Sequence, residues 1–139
     1  MILNSIKDTV DYPIQIIKET ESVIEDLYNS GLMTMYTANC KGCSGITSYG
    51  YDVRNTIYYT DLEYGSINIV ACPKNVKFGS IYEIKIENTE LLNAICLDRG
   101  SDIRNDYINI DLLWDNYNIV NNWGIKRVEY RLVRNGFVK

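Results

Sequence analysis

The sequence predicts a mainly β fold, a small barrel of short strands with one helix ahead of it. Two observations carry this reading. The first is alternation. Over 81–87, Ile81, Glu83, Lys85 and Glu87 form one set, and Tyr82, Ile84 and Ile86 form the other, buried set. The same period of two returns over 126–133, with Val128, Tyr130 and Leu132 directed inward. The second is the number of short β-prone runs separated by turn residues, against few stretches of helical spacing. Composition and periodicity by themselves stop at a single α+β or all-β domain.

Taken in order, residues 1–12 are mixed and polar and read as a tail or docking segment. Pro13 suits a first helical turn. Ile16, Ile17, Val23, Ile24, Leu27 and Tyr28 then recur at helical spacing, and Gly31 follows Asn29 and Ser30 as a stop. These predict a helix over 13–30, which either covers one end of the barrel or docks on another chain. From 32 onward the pattern is β. Residues 32–37 read as a strand, and 38–50 as a cysteine–glycine loop holding a short strand at 46–48. A strand at 56–60, a turn at 61–66 and a strand at 67–71 follow, the last stopped by Pro73. A tight turn at 77–80 leads into the alternating strand 81–87, a hairpin turn at 88–90 and its partner strand 91–97. A polar loop at 99–105, a strand or a strand then turn at 107–112, a short helix or helical turn over 113–120 and the strand 126–133 follow.

The bulk numbers bound the function. A chain of 139 residues with 46% hydrophobic content suits one domain with its own core. A net charge of −4 gives no nucleic-acid footprint. Twelve tyrosines stand against two phenylalanines. A flat apolar face with a polar tip suits barrel walls and sugar-stacking grooves, and strand packing accounts for most of them. The chain has no histidine, so a histidine base and a histidine metal site are excluded. The N-terminus lacks the basic flank and apolar run of a secretory signal, so a native start at Met1 implies no export by the usual route. No stretch reaches the roughly 18 apolar residues of a membrane helix. The four cysteines allow three readings. Cys40–Cys43 and Cys72–Cys96 can form two disulfides, all four can bind zinc, or Cys72 and Cys96 can be free buried thiols. The wide separation of the second pair weighs against zinc.

The densest stretch runs from 35 to 54, MYTANCKGCSGITSYGYDVR. It resembles the opening motif of the three-aspartate ("3D") domain family, where a TAYT-like strand leads into CxGCSGIT, TG and YDxR. Tyr36, Thr37, Cys40, Gly42, Cys43, Ser44, Gly45, Ile46, Thr47, Gly50, Tyr51, Asp52 and Arg54 fall in register. The resemblance continues to about 133 through Val70-Ala71-Cys72-Pro73, the turn 77–80, Leu97-Asp98-Arg99-Gly100, Ile110-Asp111-Leu112 and Trp123-Gly124. Two of the three aspartates are present, Asp98 and Asp111, and Cys72 stands at the first. Only Gly100 matches the glycine pair of the following loop.

The resemblance implies a six-stranded double-psi β-barrel over 34–139, preceded by a tail and helix over 1–33. The family is related to the MltA-type lytic transglycosylases, which cut peptidoglycan without a cofactor or metal. It thus implies Asp111 as acid and base, with Asp98 orienting it or raising its proton affinity. It also places Tyr36, Thr37, Thr47 and Gly100 beside the glycan strand. The alternative is a degenerate barrel in which the aspartates support the fold and the module serves assembly or glycan binding. A wall-directed chain without a signal fits a phage tail or baseplate component carried in the virion, contacting other tail proteins through the N-terminal helix; an extracellular or cell-wall site is the other expectation. The richness in Asn, Ile, Tyr and Lys suggests an AT-rich genome, such as a low-GC Gram-positive bacterium or its phage.

Overall fold

A computed structural model describes residues 27–87 and 91–139. Its elements are β1 (Asn29–Tyr36), β2 (Tyr58–Asp61), β3 (Gly65–Ala71), β4 (Ile81–Lys85), β5 (Leu92–Asp98), β6 (Ile110–Leu113), α1 (Tyr117–Trp123) and β7 (Lys126–Arg134). The strands run in the order β2-β3-β5-β4-β7-β1-β6, and β6 pairs back onto β3. Six strands therefore close a barrel, with β2 outside it. Two pairs, β1–β6 and β3–β5, are parallel, and the others are antiparallel. This closed mixed barrel is compatible with the double-psi arrangement.

Alternation along each strand explains the interior. Met33, Val70, Cys72, Tyr82, Ile84, Ala94, Cys96, Ile110, Leu112 and Val128 form one buried cluster, with contributions from every barrel strand or its immediate end. Ile67 and Ile69 of β3 and Ile95 and Leu97 of β5 point the other way. They pack on Val53, Ile57, Ile81 and Leu113 in a second cluster. β3 is thus buried on both faces, which is why its apolar run is unbroken rather than alternating. Ile81, expected on the charged face of its strand, is completely buried in this second cluster. Leu132, expected inward, is 41% exposed. The register between β4 and β7 slips between Ile81 and Tyr82, which face Arg134 and Leu132, so Val133 is an extra residue in β7.

The expected helix over 13–30 lies outside the described residues except at its end. There, Asn29 and Ser30 already belong to β1, so a domain boundary between 33 and 34 falls inside a strand. Gly31 is no helix stop. A Cβ on it would sit 2.6 Å from both Asn109 Oδ1 and Tyr130 Cε1, so glycine is what lets β1 approach them. The turn expected at 88–90 also lies outside the described residues. The short strand at 46–48 reduces to a single bridge between Ile46 and Asp52. The helix expected within 113–120 is α1. It starts later because Asn116 is its cap, accepting a hydrogen bond from the Ile119 amide.

One buried ion pair ties the last strand to the rest. Arg134 donates from Nη2 to Asp61 Oδ1 at 2.6 Å and from Nη1 to Asp61 Oδ2 at 2.7 Å. Arg134 also donates to the Gly79 and Gly136 carbonyls at 2.9 and 2.8 Å and to Glu63 Oε1 at 3.3 Å. Asp61 also accepts from the Glu63 and Tyr64 amides. The Arg134 guanidinium is the main reason the Asp61 carboxyl is held down to about 2.

Candidate active site

The site is a row of four residues across four adjacent strands. Thr34 of β1 is in register with Asp111 of β6. Asp111 is in register with Ala71 of β3, and Ala71 with Asp98 of β5. Two carboxyl groups therefore flank one alanine, and at about 4.8 Å per strand step their backbones lie roughly 10 Å apart. The row depends on a bulge. Val70 faces Cys96 but Ala71 faces Asp98, leaving Leu97 as an extra residue in β5. Without that slip, Asp98 would point into the barrel with Cys96.

Asp98 and Asp111 line one cleft of about 220 Å³, together with Tyr36, Thr37, Ala71 and Arg99. Its far wall is the loop segment running from Cys43 to Ile46. That loop is folded back on itself by local bonds. Cys40 and Cys43 form a disulfide with Cα atoms 5.2 Å apart. Gly45 has a φ of +74°, and a Cβ there would overlap the stem of Arg54. Arg54 is in turn held by Asp52 through Nε at 3.0 Å and Nη2 at 2.6 Å. The YDxR and CSG residues are thus one packing unit that walls the cleft.

The two aspartates stand in different environments. Asp111 accepts one hydrogen bond, from Thr34 Oγ1 to Oδ1 at 2.8 Å, and its Oδ2 has no partner among the described residues. Burial raises its carboxyl to about 6, the charge of Asp98 adds to the rise, and the Thr34 hydroxyl works against it. Asp98 is a fixed acceptor. Its Oδ1 receives the Ser48 amide, the Ser48 hydroxyl and the Arg99 amide, each at 2.9 Å. Its Oδ2 receives the Tyr36 hydroxyl at 2.9 Å. Burial and then the neighbouring Asp98 push the Tyr36 hydroxyl well above the usual tyrosine range, so it remains a donor.

Tyr36 and Thr37 line the cleft, whereas Thr47 and Gly100 do not. Thr47 is buried, and its hydroxyl accepts from the Tyr51 amide at 3.0 Å, fixing the turn that carries Ser48 to Asp98. The carbonyl of Gly100 accepts from the Ile103 amide at 3.1 Å, and its Cα seats the Ile103 side chain. Cys72 is buried in the barrel interior and bonded to Cys96, with Cα atoms 5.7 Å apart. All four cysteines are therefore in disulfides, which replaces the zinc and free-thiol readings. Arg99 Nη1 lies 2.8 and 3.0 Å from the two sulfurs of this second disulfide, and the guanidinium stacks 4.0 Å from the centre of the Phe78 ring.

No family model matches the chain. Over 96 residues it is 38% identical to the SPbeta prophage-derived uncharacterized protein YorM of Bacillus subtilis (strain 168). That alignment takes in 68% of this chain and 37% of the relative, so the chain spans a little over a third of that relative's length. The chain thus has a prophage-derived homologue.

Sequence reasoning did not single out Thr34, Ser48 or Ala71. Thr34 was findable, because it precedes Tyr36 by one strand period and so shares its face. Ser48 and Ala71 gave no signal. Their roles come from contacts with residues far along the chain. Among the described residues, no group of three or more histidine, cysteine, aspartate or glutamate side chains is placed to hold a metal ion, and no helix is long and apolar enough to cross a membrane.

Proposed function

We propose that this chain is a lytic-transglycosylase-like domain that cuts the glycan strands of peptidoglycan, carried by a phage tail or baseplate. The observation that carries the reading is Asp111, a partly buried carboxyl raised to about 6 and opening on a cleft it shares with Asp98. A general acid must hold a proton near working pH, and this environment provides one.

In the proposed reaction, Asp111 gives its proton to the glycosidic oxygen as the bond to the anomeric carbon breaks. The sugar's own 6-hydroxyl then attacks that carbon, and Asp111 recovers a proton from it. The product is a 1,6-anhydro sugar, and no water is consumed. Asp98 favours the protonated form of Asp111 and offsets the positive charge that develops on the ring. The prophage-derived homologue supports a phage origin. Incubating the protein with purified walls from low-GC Gram-positive hosts tests the reading. Soluble fragments with anhydro ends by mass analysis are expected, and intact walls would sink it.

The second reading is a barrel that binds glycan or tail proteins without cutting. It draws on the hydrogen bonds of Asp98, all of which also serve to anchor loops and strands.

A further inference from the structure

A second depression of about 260 Å³ adjoins the cleft, and Thr37, Ala38 and Val53 line both. Asn39, Arg54, Asn55, Thr56, Ile57, Trp114, Asp115 and Tyr117 complete it. Its chemistry differs from that of the cleft. Asn39, Asn55 and Asp115 are exposed, and their side chains have no hydrogen-bond partner among the described residues. Amides and carboxylates of this kind can pair with hydroxyl and acetamido groups. Tyr117 is 65% exposed at the start of α1, an aromatic face that no other described residue covers. Trp114 is firmly placed, with its amide donating to the Tyr36 carbonyl at 2.9 Å and its ring packed on both core clusters. An aromatic face beside unpaired planar polar groups suits a sugar ring, which is apolar on its C–H face and polar at its rim.

We infer that this depression is a second sugar subsite, holding a further unit of the same linear glycan whose scissile bond lies at Asp111. The inference rests on the glycan-strand reading given above. A polymer ligand must continue past the reacting bond, and the shared residues Thr37, Ala38 and Val53 give it a continuous path. Binding at Asn55 and Tyr117 then contributes to holding the strand in register with the acid, which is where remote binding energy helps a reaction.

The test measures binding without turnover, in Asp111→Asn protein, by calorimetric titration with the β-1,4-linked dimer and hexamer of N-acetylglucosamine. The hexamer is expected to bind at least about tenfold more tightly than the dimer. Adding Tyr117→Ala and Asn55→Ala is expected to remove most of that gain while leaving the dimer within about twofold. Both positions are exposed, so the fold is retained. A hexamer that binds no more tightly than the dimer, that binds equally well to the triple variant, or that does not bind at all overturns the subsite. Wall cleavage by the wild type is scored separately. Cleavage with no effect of Tyr117 and Asn55 on binding sinks the subsite alone. Length-dependent binding without cleavage keeps the subsite and sinks the transglycosylase.

Discussion

Thr34 donates a 2.8 Å hydrogen bond to Asp111 across the parallel pair β1–β6. It opposes the burial that lifts the Asp111 carboxyl to about 6. Thr34→Val keeps the shape and removes the donor. A hydrogen bond to a charged group is worth about 1.5 kcal/mol, so the carboxyl should rise by about one pH unit. The alkaline limb of wall cleavage should move up by the same amount. An unmoved pH–rate profile would show that Asp111 is not the titrating acid.

Asp111→Asn should lower cleavage by at least roughly 10²–10⁴-fold, the range of general acid–base catalysis. Asp98→Asn should cost less. The same Asp111 variant should change stability with a definite sign. The folded carboxyl, at about 6, lies above its unfolded value of about 3.9. Its contribution is therefore fully present below pH 4 and is lost as pH rises through 6. Above that pH, Asp111→Asn should be more stable than the wild type by on the order of 2 kcal/mol. Thermal melts at pH 4 and pH 8 check this; a variant equally destabilised at both pH values would refute it.

Asp61→Asn should destabilise the barrel by on the order of 2–3 kcal/mol, because it removes the bidentate carboxylate from a partly buried Arg134 that keeps only Glu63 as a charged partner. The wild-type contribution of Asp61 runs opposite to that of Asp111. Its folded carboxyl, at about 2, lies below the unfolded value of about 3.9. Stability from this pair is present above pH 4 and is lost as pH falls toward 2. Acid titration followed by far-ultraviolet circular dichroism should therefore find the Asp61→Asn transition shallower than the wild-type one.

The disulfide Cys72–Cys96 closes a loop with a sequence separation of 24, against 3 for Cys40–Cys43. By loop entropy the first is worth about 3–4 kcal/mol and the second about half that. Urea midpoints of the two paired Cys→Ala variants should fall in that order. Cys72→Asp would break this disulfide and put a carboxylate in the barrel interior. Loss of the Cys40–Cys43 pair should leave wall cleavage within a fewfold, because neither sulfur takes part in the proposed chemistry.

Much of the barrel was legible because a strand writes its period locally. The alternation over 81–87 and 126–133 gave β4 and β7, although the second cluster that buries Ile81 and the exposure of Leu132 leave no mark in the pattern. Asp98 and Asp111 could be proposed from their motifs. Their flanking of Ala71 could not, since it depends on a one-residue slip between β3 and β5. Gly31 misled because a glycine after Asn-Ser looks the same whether it ends a helix or admits a close neighbour. Asp61 and Arg134 meet through folding alone, and nothing near either residue announces the other.

The closure of the barrel also sets an order of events in time. Among the described residues β1 pairs only with β6 and β7, so Asn29 waits for Tyr130 and Thr34 for Asp111. During synthesis its two edges stay unsatisfied until nearly all the described chain has emerged. Such distant pairings make folding slow, in the millisecond-to-second range of non-local β topologies. The row that holds Asp111 therefore cannot assemble early, and any cutting ability arrives in one late step with the last strands.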